Sequence, residues 1–405
     1  MAEQVLLRRR GKVAPHLGDY IASGGLEGLR RAREMGPEAV CRVVTDSGLN
    51  GRGGAAFPTG RKWDAVRSQP EPTHYVVLNG DESEPGTFKD RVLIDSDPFL
   101  VLEGLLIAAY ATKAERIFLY VRGEYGPQAR LLLSAVEELR AGGHLKGIAP
   151  NGGEVAVELR RGGGAYICGE ETALFRSIEG YRGEPMSKPP FPTVQGLFRK
   201  PTVINNVETV ANVPDILAHG ADWYKSRGTA RSTGTKLYSI SGAVRHPDVY
   251  ELPFGARLSD LLELAGAESG AKAVLLGGAA GTFVFPHDFD VELSYEGVAA
   301  RGTTLGSGAV IVFGTGANLW QVAERLGHFF AHESCGQCVP CRVGTQRQYE
   351  IVHELAQGAG GARERALLRS LSQVMTDASI CGLGQTASTA VRSLLDAEAQ
   401  GALAG

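Results

Sequence analysis

The stretch "HESCGQCVPCRVG", residues 332–344, constrains this chain more than any other. It holds Cys335, Cys338 and Cys341, three of only six cysteines, and Cys381 follows in "SICGLGQTA". Zinc sites usually pair their ligands as two separated C-x-x-C knuckles, or mix in histidine. A C-x-x-C-x-x-C run with a distant fourth cysteine is instead the layout of a [4Fe–4S] cluster. One tight loop caps three corners of the cube, and the remote cysteine closes the fourth. Soft sites of this kind select thiolate, and Gly336 and Pro340 suit a loop that must turn sharply. Zinc, or buried thiols without a metal, are the competing readings. Cys41 and Cys168 lack partners at ligand spacing and read as small buried hydrophobes.

The rest of the chain must provide a setting for such a group. At 405 residues it is too long for one typical core, so two to four domains are expected. Charged residues are 21% and hydrophobic ones 43%, ordinary for a globular protein, and the net charge of -3 gives no reason to expect nucleic-acid or membrane-surface binding. Glycine, at 54 residues, is nearly twice its usual share of about 7% and is grouped, which places backbone close against a ligand. The N-terminus has no secretory pattern. The apolar run "FLVLEGLLIAAYATKA" at 99–114 is interrupted by Glu103 and too short to span a bilayer, so it reads as a buried helix. A cytoplasmic location follows, with any contact to the inner membrane made only through a complex. Structural disulfides are rare there, which moves the cysteines toward metal binding.

Residues 1–45 read as a helical lead-in, broken at Gly36-Pro37. From 46 to about 228, buried strands ("HYVVLNG", "RIFLYVRG") alternate with helices ("FLVLEGLLIAAYATK", "QARLLLSAVEELRAGG"), which predicts an α/β domain. Residues 235–316 give two strands, a short helix and further strands, a small β-grasp-like pattern. Four amphipathic segments from 317 to 405 predict a helical bundle, with the cysteine run between the first two.

Three glycine-rich or acidic stretches stand out. "GLNGRGGAAFPTGRKW" at 48–63 fits neither a Walker A loop nor a full Rossmann fingerprint. Its glycines, Arg52 and Lys62 still offer amides and positive charge to a phosphate, and Phe57 can stack on a ring. An ordinary flexible loop is the alternative. "NGDESEPGTFKDR" at 79–91 places Asp81, Glu82 and Glu84 at the carboxyl end of a strand, where open α/β sheets bind ligands. Carboxylates there can accept ribose or ribityl hydroxyls and repel a 2′-phosphate, favouring NAD(H) over NADP(H); a solvated turn is the plainer reading. "RRGGGAYICGEETALF" at 160–175 runs through a glycine triplet, Tyr166 and Gly169 into a helix near Glu170, whose acids also suit a plain helix start. "KPTVINNVETV" adds the amides of Asn205 and Asn206.

Together, "GRGGAAFPTGRKW", "NGDESEPGTFKDR", "GAYICGEETAL", "KPPFP", "PTVINNVET", "ESCGQCVPCRVGT" and "ICGLGQ" resemble the NADH-binding flavoprotein subunit of respiratory complex I, its F (51 kDa-type) subunit, and the related diaphorase subunits of NAD-linked hydrogenases and formate dehydrogenases. The resemblance covers nearly the whole chain. It implies an α/β multi-domain protein: an atypical Rossmann-like FMN domain, a β-grasp (SLBB) domain, and a C-terminal helical bundle carrying a [4Fe–4S] cluster. By position it implies an FMN site of Gly51, Gly53, Lys62, Asn79, Asp81, Ser83, Tyr166, Gly169, Glu170, Asn205, Asn206 and Thr209. It places NADH against Gly54, Phe57, Glu84, Glu171, Lys188 and Phe191, and makes Cys335, Cys338, Cys341 and Cys381 the cluster ligands. Some positions depart from the family: Asn50 stands for a common Arg, Ala56 for a usual Gly, Gly80 for a usual Ala, and Ala65 for a further stacking aromatic. "ICGLGQTA" is closer to the soluble diaphorase branch.

The implied activity is hydride transfer between NADH and FMN, followed by one-electron transfer to the cluster and on to a partner. The cofactor carries the hard chemistry, and no side chain needs to act as acid or base. Glu171 is the candidate catalytic residue, positioning the nicotinamide end. Expected partners are a thioredoxin-like [2Fe–2S] subunit and further iron–sulfur subunits of a larger redox complex, with no nucleic acid and no direct membrane insertion. Reduction of NAD⁺ with electrons from formate or hydrogen is the alternative within this class. A non-redox scaffold holding structural zinc is the alternative outside it.

Overall fold

A computed structural model describes residues 4–12 and 15–402. The first sheet has four parallel strands, β1 Tyr75–Gly80, β2 Arg116–Val121, β3 Ala156–Arg161 and β4 Thr202–Asn206, in the order β3-β2-β1-β4. Val76, Val77 and Leu78 are fully buried, as a parallel strand covered on both faces requires. The chain steps outward from β1 to β3 and then returns to pair β4 with the other side of β1. That reversal opens a crevice at the carboxyl ends of β1 and β4, where Asn79 lies opposite Asn206.

Helix Pro98–Thr112 is apolar on every side and packs between the sheet and the N-terminal helices. Gly104 lets it approach Val210, whose carbonyl oxygen would lie 2.1 Å from any added Cβ. Glu103, the one charge in that run, is buried. It accepts from the amides of Leu26 (2.8 Å) and Leu29 (2.9 Å) and from the Tyr20 hydroxyl, so it caps helix Glu27–Met35. Gly36, at φ 84°, separates that helix from Pro37–Asp46, where the sequence predicts the break.

Residues 4–12 of the lead-in are not helical. Val5, Leu6 and Leu7 donate their amides to the buried Glu251 carboxylate at 2.9–3.1 Å. Arg8, Arg9 and Arg10 pair with Asp215, Asp97 and Asp248. This strap ties the first sheet's helices to the second sheet.

The second sheet has the order β6-β5-β9-β7-β8: β5 Thr235–Gly242, β6 Asp248–Pro253, β7 Ala273–Leu276, β8 Thr282–Val284 and β9 Ala309–Phe313. β5 and β9 are parallel, and the other neighbours are antiparallel. Helix Leu258–Leu264 covers one face, its Leu258 and Leu261 packing with Tyr238, Ile240 and Val312. β8 and helix Tyr295–Ala300 are too short to show a period and are missing from the sequence expectation.

Helices Leu319–Glu333, Val339–Ala356, Ala362–Ala378, Gly382–Thr386 and Thr389–Ala399 close the chain. Their core (Phe330, Ile351, Leu368, Leu394) is continuous with residues of both sheets, including Val77 and Leu275. The second of these helices begins at Val339, inside the cysteine run. The three clustered cysteines are therefore carried by a loop and a first helical turn, not by a loop alone. No helix among the described residues is long and apolar enough to cross a membrane.

Candidate functional site

A cavity of about 380 Å³ opens at the carboxyl ends of β1 and β4, within the range of cofactor sites. Of the residues expected to hold cofactors, it is lined by Gly53, Gly54, Asn79, Asp81, Ser83, Glu84, Tyr166, Gly169, Glu170 and Asn206. The floor is the glycine loop, folded back by hydrogen bonds from Gly51 N to Phe57 O and Thr59 N to Leu49 O, both 2.9 Å. Gly54 is at φ 121°, and a Cβ on Gly53 would sit 3.1 Å from Asn206, so a side chain at either would strain the loop or crowd the cavity wall.

Most polar side chains here build the wall. Asn79 accepts from Asp81 N (3.1 Å) and donates to Gly169 O (2.9 Å), fixing the turn Tyr166–Gly169. Asn206 caps helix Val207–Ala211 and donates to Asp90 at 2.6 Å. Glu170 caps helix Glu171–Ile178 through the amides of Thr172 and Ala173, and its other oxygen accepts from Lys188 at 3.0 Å. Glu82 receives the Asp90 and Arg91 amides (2.7 and 3.0 Å), and burial pushes its carboxyl up to about 7. Lys89 is buried between Asp90 and Glu208, each at 2.8 Å. Glu84 crosses to the second sheet, accepting from Ala280 N (3.1 Å) and Ser307, and burial raises its pKa.

Asp81 differs from these. Ser83 donates to its Oδ2 at 2.7 Å, but Oδ1 is buried without a partner. Burial pushes its carboxyl up to about 7. Asp81 lines the cavity, and its unpaired oxygen is an acceptor left without a donor among the protein's own groups.

Other expected residues lie outside the cavity. The amide of Arg52 donates to Thr209 Oγ1 (2.8 Å), but its guanidinium points away, to Tyr224, Thr233 O and Asn50 O. It is a buried link to the strand region of the second sheet, which corrects the expectation that it offers charge to a phosphate. Asn205 is taken by Trp63 Nε1 at 2.8 Å. Lys62 donates to Ile204 O (3.1 Å), sits 5.7 Å from the Phe57 ring centroid, and is close enough to feel the charges of Glu171 and Lys188. Glu171 pairs with Lys188 at 2.5 Å. Lys188 also pairs with Glu170 of the cavity wall, so Glu171 and Lys188 adjoin the cavity. Phe57 and Phe191 are more than half exposed, at 53% and 56%.

The sequence reading missed the opposite wall, made by Gly277, Ala280, Thr304, Gly306 and Ser307. Glycine clusters at 277–281 and 302–308, at the ends of strands, carried that information.

A second, small cavity is lined by Cys335, Cys338, Cys341 and Cys381 together with Ser334, Gln337 and Pro185. Cys338 and Cys381 are N-cap residues of helices; burial pushes the Cys381 thiol up, and the amides of Leu383 and Gly384 work against that push. Helix starts favour thiolates. Among the described residues, no group of three His, Cys, Asp or Glu side chains is drawn together as for one metal ion. All four thiols nevertheless line this one space. Ile167 and Leu383 line both cavities, so the two spaces share a wall.

Residues 44–215 match the family model of the Nuo51 FMN-binding domain, and residues 321–398 that of the NADH-ubiquinone oxidoreductase-F iron-sulfur binding region. The F 2 subunit of the NADH-quinone oxidoreductase of Rhizobium meliloti is 42% identical over 98% of this chain and 96% of its own length. This chain belongs to the F-subunit family. NADP-reducing hydrogenase subunit HndC of Solidesulfovibrio fructosivorans is 40% identical over 97% of this chain and 81% of that one. The solved NAD⁺-reducing [NiFe]-hydrogenase in the H2-reduced state superposes with a TM-score of 0.87 at 37% identity, covering 96% of this chain. This chain spans 66% of that solved chain's length. As a member of the F-subunit family it is an oxidoreductase subunit with an FMN-binding domain and a [4Fe–4S] binding region. The first match contains the first sheet, and the second contains all four clustered cysteines.

Proposed function

We propose that this chain moves electrons between NADH and an iron–sulfur partner subunit by way of FMN and a [4Fe–4S] cluster. The observation that carries the reading is the wall of Ile167 and Leu383 common to both cavities. Bound FMN supplies the exchange between a hydride's electron pair and single electrons. Asp81 Oδ1 would accept a ribityl hydroxyl, and the amides of Gly53 and Gly54 would face the phosphate end. Asn79, Ser83, Tyr166, Gly169, Glu170 and Asn206 shape the same space, while Gly51, Lys62, Asn205 and Thr209 hold it from behind. Phe57, Glu171, Lys188 and Phe191 form the lip against which NADH would lie, with Glu171 orienting the nicotinamide end and Glu84 fixing the far wall. Cys335, Cys338, Cys341 and Cys381 would hold the cluster. The C-x-x-C-x-x-C spacing and the match of residues 321–398 to the iron-sulfur binding region support a cluster over the structural zinc of the scaffold alternative.

The domains we assign are a lead-in to residue 45, the FMN/NADH domain 46–228, an SLBB-type β-grasp domain 235–316 and a helical cluster domain 317–405. The mixed five-stranded sheet with its crossing helix supports the β-grasp assignment. A thioredoxin-like [2Fe–2S] subunit is the companion we propose, with membrane contact made only through a complex. The likeness to the solved NAD⁺-reducing hydrogenase supports a second reading, in which the same site runs toward NAD⁺. Anaerobic purification tests the central reading: one FMN and a cluster's iron per chain are expected, with flavin absorbance bleached by NADH. In Cys381→Ser the iron is lost while flavin and its bleaching remain. A colourless, zinc-loaded protein would overturn the proposal.

A further inference from the structure

Ser334 ends helix Leu319–Glu333 in an extended conformation, immediately before the first cysteine of the run. Its Oγ lies 3.2 Å from the Cys341 sulfur. The same oxygen accepts from the Gly336 amide at 3.3 Å. Gly336 is at φ 77°, a left-handed conformation that favours glycine, and this bend turns its amide back toward Ser334. A cysteine that ligates metal carries no proton, so Ser334 must be the donor of the pair. The Gly336 amide uses one of the two acceptor sites on the oxygen, and the hydroxyl proton is the donor to the sulfur.

The acceptor is the most enclosed of the four thiols. Cys341 is buried, whereas Cys335, Cys338 and Cys381 are partly exposed. Gly384 approaches so closely that an added Cβ would sit 2.8 Å from the Cys341 Cβ, which keeps water away from this corner. Among the described residues, no other side-chain donor reaches any of the four sulfurs.

We infer that Ser334 raises the reduction potential of the cluster by a hydrogen bond to Cys341. Reduction adds negative charge to the iron–sulfur core and its ligands, and a donor at a ligand sulfur stabilises that reduced state more than the oxidised one. In a buried corner the bond is not replaced by water. Ser334 lines the four-thiol cavity and not the larger one; it sets how readily the cluster takes the electron that arrives through the Ile167–Leu383 wall.

This inference rests on the iron–sulfur reading, and the experiment separates the two. The full chain, loaded with flavin and iron, is titrated potentiometrically and the reduced cluster is read by EPR. Ser334→Ala with full iron content should titrate at a more negative potential than the wild type, and Ser334→Thr, which keeps the hydroxyl, should return close to it. An unchanged potential in Ser334→Ala, or an equal shift in Ser334→Thr, overturns the role. Should Ser334→Ala fail to take up iron, the wild-type protein decides by pulsed EPR after transfer to D2O. A strongly coupled proton that exchanges as fast as a hydroxyl is expected, and its absence overturns the proposal. A wild-type chain without iron would instead refute the cluster itself.

Discussion

Asp81 carries the most readable single-residue consequence. Its carboxyl is raised to about 7 by burial, so ionisation costs the empty protein stability as pH climbs from the ordinary carboxylate range through 7. A flavin hydroxyl donating to Oδ1 favours the ionised form. FMN binding should therefore tighten between pH 6 and 8, and Asp81→Asn should flatten that dependence, as read by flavin fluorescence titration of the apoprotein. Ala56 gives a second test. It sits at φ 52°, where the family resemblance expects glycine, and a left-handed alanine costs about 1 kcal/mol. Ala56→Gly should raise the unfolding free energy by about that amount, seen as a higher urea midpoint at unchanged m, without changing the cofactor content. That the four cysteines would face one space was legible from their spacing. Arg52 was not: its charge suits a phosphate equally well, and only the fold shows the guanidinium turned to Tyr224 and Thr233.

At the scale of elements, buried strands and long helices were legible because their apolar periods run for several residues. β1, β2 and helix Pro98–Thr112 lie where the pattern places them. The wall of the cavity contributed by the second sheet was not, because its turns pair with Glu84 across 196 and 223 residues. The N-terminal strap was hidden for the same reason. Three amides on one carboxylate 244–246 residues away leave no trace in local sequence. Glu251→Ala should strand those donors, at a cost of about 3 kcal/mol. Hydrogen exchange should speed up at Val5, Leu6 and Leu7 while the first sheet stays protected. Glu103→Ala leaves the amides of Leu26 and Leu29 and the Tyr20 hydroxyl unpaired, and a similar loss is expected in its denaturant midpoint.

For the whole molecule, the two sheets and the terminal helices meet around two cavities divided by Ile167 and Leu383. Each motif reads separately in the sequence, but their adjacency is a property of the assembled chain. Leu383→Ala should cost about 2–3 kcal/mol by opening that wall, and aerobic bleaching of the cluster should accelerate. The most direct test is an anaerobic titration of the loaded chain with NADH, following flavin absorbance and low-temperature EPR on the same samples. The account predicts that the signal of a reduced [4Fe–4S] cluster grows as the flavin bleaches. A flavin that bleaches fully beside a cluster that only dithionite can reduce would contradict it.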